Sequence, residues 1–573
     1  MSSKKPGRQS GKQAAKRGRR RTSSGKPIEA RATAATAPPI RSTPRPAIPY
    51  GRRSWMGRLN RLRARTKQGS LPAPLERVIG AEAPTWVALL IIVPIIAVGL
   101  SLTVGLWIDG LPRVDNDYWW HLASGDWILD QRRVPRTDPF SWTHGGDDWV
   151  AHEWLAAVLF SLADRIAGYA GNIVLVAVVS IAGLWRLVAA MRFYGMSRRA
   201  ICVLVLLWGG VFLRSGVLVL RPQVLTFALL AILLAELAAF ETGRRRHLWI
   251  LPPLFILWVN LNLTVLIGGL CLAVFAFNRL LKGKLDRHLI TVSALAAAAL
   301  LVNPRGPFLL EAALKYQDSD ALRYQYVFEW MEPELGDVTH LPFLLALPIL
   351  PLAAWQLVRL RVWPALPLLF LAYQSFTSIR FIPIFVMLAL FFAAWLVWQM
   401  ALDRREQPEP APPVVPRALW APGLAVLAVV LVGAVALRTD ASQFRREPVA
   451  AGFPAQATTI LMAQYPDARL FNVYDYGGYL IHRFDGQNRV YVDGREEMYG
   501  DTHLRHYFDL IYGEPGWQEA FDAAGVDAVL IRHIDGLAPE IQNSPAWEQI
   551  YRNNVSALYV RRPPADQPAS IGG

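Results

Sequence analysis

Residues 85–108, "TWVALLIIVPIIAVGLSLTVGLWI", followed at 115–128 by "DNDYWWHLASGDWI", decide how this chain is read. The first stretch is apolar for about the 20 residues that a helix needs to cross a bilayer. The second places two carboxylates, Asp115 and Asp117, within a few residues of where such a span ends, beside Tyr118, Trp119, Trp120 and His121. Aromatic rings at that position are expected to settle at the headgroup level. A carboxylate there can act as a general base toward a hydroxyl or amide, or ligate a divalent cation such as Mg or Mn, and His121 can assist it.

Further apolar runs lie at about 172–191, 200–220, 222–241, 248–259, 263–280, 288–302, 341–358, 363–376, 381–400 and 418–437. Hydrophobic residues make up 53% of the 573, and their concentration in blocks predicts a polytopic α-helical membrane protein of about 11 spans. Basic residues orient it. Arg192, Arg198 and Arg199; Arg244, Arg245 and Arg246; Lys282, Lys284 and Arg287; Arg359 and Arg361; Arg404 and Arg405 fall in alternate loops, which places those loops and the N-terminus in the cytoplasm and the C-terminus outside. Loops 109–171 and 303–340 then lie on the outer side. The first ends in "WVAHEWLAAVLFSLADRIAG", which has the spacing of an interfacial helix.

The total charge of +16 is uneven: residues 1–70 carry +19, with Glu29 their one acid, so the rest of the chain carries −3. Residues 1–80 read as a disordered basic cytoplasmic tail attracted to anionic lipids. No folded nucleic-acid reader accompanies it, so no nucleic-acid partner is expected. It also shows none of the short apolar core and cleavage site of a secretory signal. Cys202 and Cys271 both fall in apolar runs, where neither a disulfide nor a thiolate metal site is expected. Residues 81–439 form the membrane region. Residues 440–573 have the composition of a soluble domain, with strand-like "RLFNV", "RVYV", "AVLI" and "ALYVRR" between helical patterns, which predicts a small extracytoplasmic α/β domain.

Four arginines break the inside bias. Arg214, Arg221, Arg305 and Arg380 map to outer ends of spans, and a guanidinium there suits a phosphate group at the membrane surface. Arg221 and Arg380 are the preferred pair; snorkelling to ordinary lipid phosphates is the alternative for each. His152 and Glu153 on the interfacial helix, and Glu329 in the second long loop, could complete a site. Asn260 and Asn262 are read as capping two short helices or lining a cavity, with the structural role preferred. In the C-terminal domain, Gly477 and Gly478 suggest a tight strand-to-helix turn, Asp475 a helix cap, and Asp493 a strand end.

The first long loop, with "DNDYWWHLASGDWI" and "VPRTDPFSWTHGG", resembles that of the type C (GT-C) membrane glycosyltransferases, above all the catalytic subunits of oligosaccharyltransferases. "YDYGGYL" and "RVYVDGREE" are similar to that family's Trp-Trp-Asp-Tyr-Gly segment and the strand after it, with Val473-Tyr474 in place of the tryptophan pair. The resemblance implies a polyprenyl-phosphate-linked sugar donor, an outward-facing site, and a glycan, lipid or protein acceptor. It adds Tyr474, Asp475, Tyr476 and Asp493 as acceptor-side residues. A protein-glycosylating enzyme and a non-catalytic assembly or polymer-export factor are the rival readings. A transporter is disfavoured because the ionisable groups gather at one surface instead of the midplane.

Overall fold

The computed structural model describes residues 116–197, 200–201, 220–309, 328–334, 336, 340–403, 452–487 and 489–563. The apolar runs at 85–108 and 418–437, most of 200–220, and the basic tail lie outside them, as do Asp115 and Arg214.

Helix α1 (Asn116–Gln131) is followed by a long α2 (Trp154–Phe193), then α3 (Pro222–Glu241), α4 (Leu251–Val259), α5 (Val265–Leu281) and α6 (Arg287–Ala299). Further along are α7 (Leu341–Ala346), α8 (Leu350–Val358), α9 (Ala365–Thr377) and α10 (Ile382–Asp403). Among the described residues three helices are long and apolar enough to cross a membrane: Trp154–Phe193, Pro222–Glu241, and Ile379–Asp403, which includes the turn before α10. The other described runs form shorter apolar helices, so they do not all read as straight spans. This architecture fits a polytopic helical membrane protein.

Local chemistry sets these boundaries. Pro222 opens α3 at a position where its missing N–H costs nothing, and Gly243, at φ +74°, follows its end. In α2 the expected interfacial segment and the following span are one helix broken at Ala167 and Gly168, where Gly168 adopts φ 60°. A residue with a Cβ would be strained at that bend.

The C-terminal region carries α11 (Ala455–Gln464), β1 (Leu470–Asn472), α12 (Tyr474–Arg483), α13 (Glu496–Ile511), α14 (Trp517–Ala524), β2 (Ala528–Ile531), α15 (Leu537–Asn543), β3 (Trp547–Arg552) and β4 (Ala557–Arg561). The sheet order is β1-β2-β4-β3, with β1 and β2 parallel and the other pairs antiparallel. The expected strand "RVYV" is not part of it and makes an isolated bridge from Val490 to Ser141. The buried side chain of Asn472 takes the place of a neighbouring strand. Its amide donates to the Val492 carbonyl, and its oxygen accepts from the Tyr491 N–H, at 2.9 and 2.8 Å. Residues of the first long loop close the other side, where Trp142 N–H donates to the Val490 carbonyl and Thr143 Oγ1 to that of Tyr491.

Helix α1 is wedged between α2 and α12, and glycine makes the fit on both sides. A Cβ on Gly125 would lie 2.2 Å from the Ala157 carbonyl oxygen, and one on Gly478 would lie 2.4 Å from that of Asn116. Consequently Tyr118, Trp119 and Trp120 are buried in protein, with Trp119 2% exposed and edge-on to Tyr479. This corrects the expected headgroup-level aromatic belt: α12 covers the face that would have met lipid.

Two further expectations change. Gly477 and Gly478 lie inside α12 instead of forming a turn before it, because they admit close neighbours; a Cβ on Gly477 would sit 2.2 Å from the Val492 carbonyl oxygen. Val473, not Asp475, is the N-cap of α12, and Asp475 pairs with Arg532 at 3.0 Å.

Candidate active site

Four elements bring charged groups to one place. Asp117 lies in the first turn of α1, Arg221 is the N-cap residue of α3, Glu329 sits in a 3-10 turn at Phe328–Trp330, and Arg380 in another at Ile379–Phe381 just before α10. Asp117 Oδ2 is 3.0 Å from an Arg221 guanidinium nitrogen, and its Oδ1 accepts from Trp120 Nε1 at 3.1 Å. The Glu329 carboxylate divides its oxygens, one accepting from Arg221 and the other from Arg380. The Glu329 backbone is strapped to the Arg380 turn. Ser378 Oγ donates to the Glu329 carbonyl at 2.9 Å, Ile379 N–H donates to that of Met331 at 3.0 Å, and the Arg380 guanidinium lies over the Trp330 ring at 4.8 Å. Burial pushes the Glu329 carboxyl up, but Arg221 and Arg380 outweigh it and hold it below the ordinary carboxylate range.

A second group adjoins the first. Glu153 accepts a hydrogen bond from Asn262 and lies 3.3 Å from His121 Nε2. His152 stands between Glu153 and Glu497, at 3.8 Å from each. The Tyr474 hydroxyl donates to Glu496 at 2.7 Å, and the Tyr474 backbone N–H donates to the Tyr507 hydroxyl oxygen at 2.7 Å. A small cavity beside α1 is lined by Trp120, Trp149, His152, Glu153, Trp154 and Glu497 among others. Burial lowers the His121 imidazole well below its usual range, with the Arg221 charge adding to it, so His121 is neutral near pH 7. Burial raises the Glu153 carboxyl against the opposing charges of His152 and Arg380. Burial, and then Glu329, push Glu496 up to about 7.

The structure thus joins Asp117, Arg221, Glu329 and Arg380, and sets His152, Glu153 and Tyr474 in the adjoining group. It separates others. His121 lies one helical turn along α1 from Asp117 but faces Glu153, with its ring tilted against Trp120. Arg305 pairs with Asp148, and its N–H donates to Asn303 within the "NPRG" turn. Tyr476 is buried and donates to the Val555 carbonyl at 2.8 Å. Asp493 grips Arg495 in a fully buried network that also includes Asp138 and Tyr499. Asp475 pairs with Arg532, so Asp475, Tyr476 and Asp493 are all held by contacts within the fold. Asn260 and Asn262 do cap: Asn260 donates to the Ile256 and Val302 carbonyls, and Asn262 accepts from Thr264 N–H.

Glu496 and Glu497 were not singled out in the sequence. Their signal was the run "DGREE", whose Gly494 meets the site directly: a Cβ there would lie 2.1 Å from Asp117 Oδ1. As for the expected divalent cation, among the described residues no group of three or more His, Cys, Asp or Glu side chains could hold a metal ion. Asp117 faces the Arg221 cation, and Asp115 lies outside the described residues.

No protein-family model matches the chain, and no curated protein matches it. Among solved structures it is similar to the oligosaccharyltransferase of Archaeoglobus fulgidus in its apo form, at 12% identity, over 77% of this chain and 69% of that one, with a TM-score of 0.48. It is also similar to ArnT from Cupriavidus metallidurans bound to undecaprenyl phosphate, at 15% identity, over 86% of this chain and 100% of that one, with a TM-score of 0.44. The apo state of the same ArnT gives 14% identity, 82% and 97% coverage, and a TM-score of 0.37.

Proposed function

We propose that this chain is a membrane glycosyltransferase that moves a sugar from a polyprenyl-phosphate-linked donor to an acceptor at the outer face of the membrane. One observation carries the reading: Arg221 and Arg380, far apart in sequence, meet at a single anion, the Glu329 carboxylate, and Asp117 pairs with Arg221 beside it. Two guanidiniums facing one anionic group are the arrangement a phosphate requires. The resemblance of the first loop to type C transferases supplies the sugar and the prenyl chain. The distribution of basic loop residues supplies the outer face, with the basic tail inside against anionic lipids.

The chemistry follows from the groups in place. The acceptor's O–H or N–H attacks the anomeric carbon of the donor sugar as the bond from that carbon to the phosphate oxygen breaks. The electron pair stays on the phosphate, whose growing charge Arg221 and Arg380 stabilise. The acceptor's proton passes to Asp117, and the sugar inverts in a single displacement. Trp120 holds one oxygen of Asp117, and neutral His121 orients Glu153 instead of delivering a proton. No step is assigned to a metal ion.

The test uses purified protein in lipid nanodiscs with a panel of radiolabelled sugars on undecaprenyl phosphate, offered to alkyl glycoside, alkylamine and peptide acceptors. Transfer by the native chain and its loss in Asp117→Asn are the expected results. An Asp115→Asn variant tests the neighbouring carboxylate in the same assay. Absence of turnover with every donor, or equal turnover in both variants and the native chain, would overturn the reading. Labelling of the peptide acceptor would favour the protein-glycosylating form of the enzyme.

A further inference from the structure

The Arg221–Arg380 pair is already neutralised by a group belonging to the chain itself. Glu329 gives one oxygen to each guanidinium, which is how a phosphate bridging the two arginines would distribute its oxygens. The backbone around it is fixed by Ser378 and by the Ile379 to Met331 hydrogen bond. All three side chains are reachable from solvent, at 23% for Arg221, 24% for Glu329 and 25% for Arg380, so the pairing is of the exchangeable kind.

We propose that Glu329 sets an occupancy threshold at the donor site: it is a tethered internal anion that occupies the phosphate position and that an incoming phosphate must displace. The inference rests on the reading of Arg221 and Arg380 as the donor-phosphate site. A tethered carboxylate is present at high effective concentration and is not diluted, so it raises the apparent dissociation constant of every competing anion by one common factor. Free inorganic phosphate, with nothing else to hold it, then fails to occupy the site. A phosphate carried on a prenyl chain gains a second anchor from burial of that chain and passes the threshold. Glu329 thus sets a threshold that a doubly anchored phosphate passes and a free one does not, while the ratio of the two affinities stays the same.

The experiment measures dissociation constants of undecaprenyl phosphate and of inorganic phosphate for the full chain in neutral-lipid nanodiscs at fixed ionic strength. The variants are Glu329→Gln, Glu329→Asp and Arg380→Ala. Glu329→Gln removes the competing charge and should tighten both ligands by the same factor, on the order of tenfold. Glu329→Asp keeps the charge and should stay nearer the native chain. Arg380→Ala should weaken undecaprenyl phosphate. If Arg380→Ala weakens the lipid but Glu329→Gln leaves both constants unchanged, weakens them, or tightens only the lipid, the proposal falls while the donor site stands. Equal behaviour of the Gln and Asp variants also sinks it, since charge is then not the cause. If Arg380→Ala leaves lipid affinity unchanged, the donor-site reading fails and takes this inference with it.

Discussion

Two arginine–carboxylate clusters stand on either side of Gly494, built from the same residue types and put to opposite ends. Arg495, Asp493 and Asp138 are 0% exposed, and Arg495 reaches Asp493 through two nitrogens at 2.7 and 2.6 Å. Phe140 and Trp149 lie against its guanidinium, at 5.1 and 4.7 Å. Arg221, Glu329, Arg380 and Asp117 are each about a quarter exposed and come from separate helices and turns. The buried cluster clamps the first long loop to the α/β region. The open one holds its anion where another anion can replace it. Residue type alone does not distinguish a clamp from a site; saturation and access to solvent do.

The largest expected effect that separates them is on stability. Arg495→Ala strands two buried carboxylates and should cost about 3–5 kcal/mol, read as a lower unfolding temperature or lost expression. Arg380→Ala should unfold near the native temperature yet lower sugar transfer by roughly 10²–10³-fold. If Arg380→Ala destabilises as much as Arg495→Ala, the open cluster is a second clamp and the comparison breaks.

Gly494→Ala probes the joint between them. The added Cβ meets Asp117 Oδ1, so overpacking of about 1–3 kcal/mol is expected, with transfer lowered alongside stability. Unchanged transfer in a stably folded Gly494→Ala would show that the α/β region does not help to place Asp117.

The smallest effect is on pH dependence. The Glu496 carboxyl is raised from the ordinary 4.5 to about 7, burial being the main cause and Glu329 the next. The folded state therefore holds its proton after the unfolded state has released it. The contribution to stability is present below about pH 4.5 and is lost as pH rises through about 7. Unfolding temperatures measured from pH 4.5 to 8 should show that decline in the native chain and a flatter course in Glu496→Gln. Parallel profiles would place the raised group elsewhere.

Much of the helical region was legible because apolar periodicity and basic loop residues act locally, and α3 and α10 lie almost where the runs at 222–241 and 381–400 place them. Arg221 and Arg380 stood out in the sequence by departing from the pattern of the other basic loop residues. What could not be read depended on contacts across hundreds of residues. Burial of Tyr118 and Trp119 needs α12, whose Gly478 admits α1 from more than 350 positions away. "RVYV" has the composition of a strand, but the Asn472 side chain takes the place of its neighbour. Glu496 and Glu497 look like solvated acids until Trp149, His152 and Tyr474 close around them. Asp493 and Asp138 showed no sequence sign of sharing one buried arginine.

The central claim is that Asp117 acts at a phosphate site made by Arg221 and Arg380. Its most direct test is the rate of labelled-sugar transfer from an undecaprenyl-phosphate donor by the native chain and by Asp117→Asn, both in nanodiscs and matched for unfolding temperature. The account predicts transfer by the native chain and a fall of about 10²–10⁴-fold in the variant, with undecaprenyl phosphate still bound. Equal rates in the two proteins would contradict it.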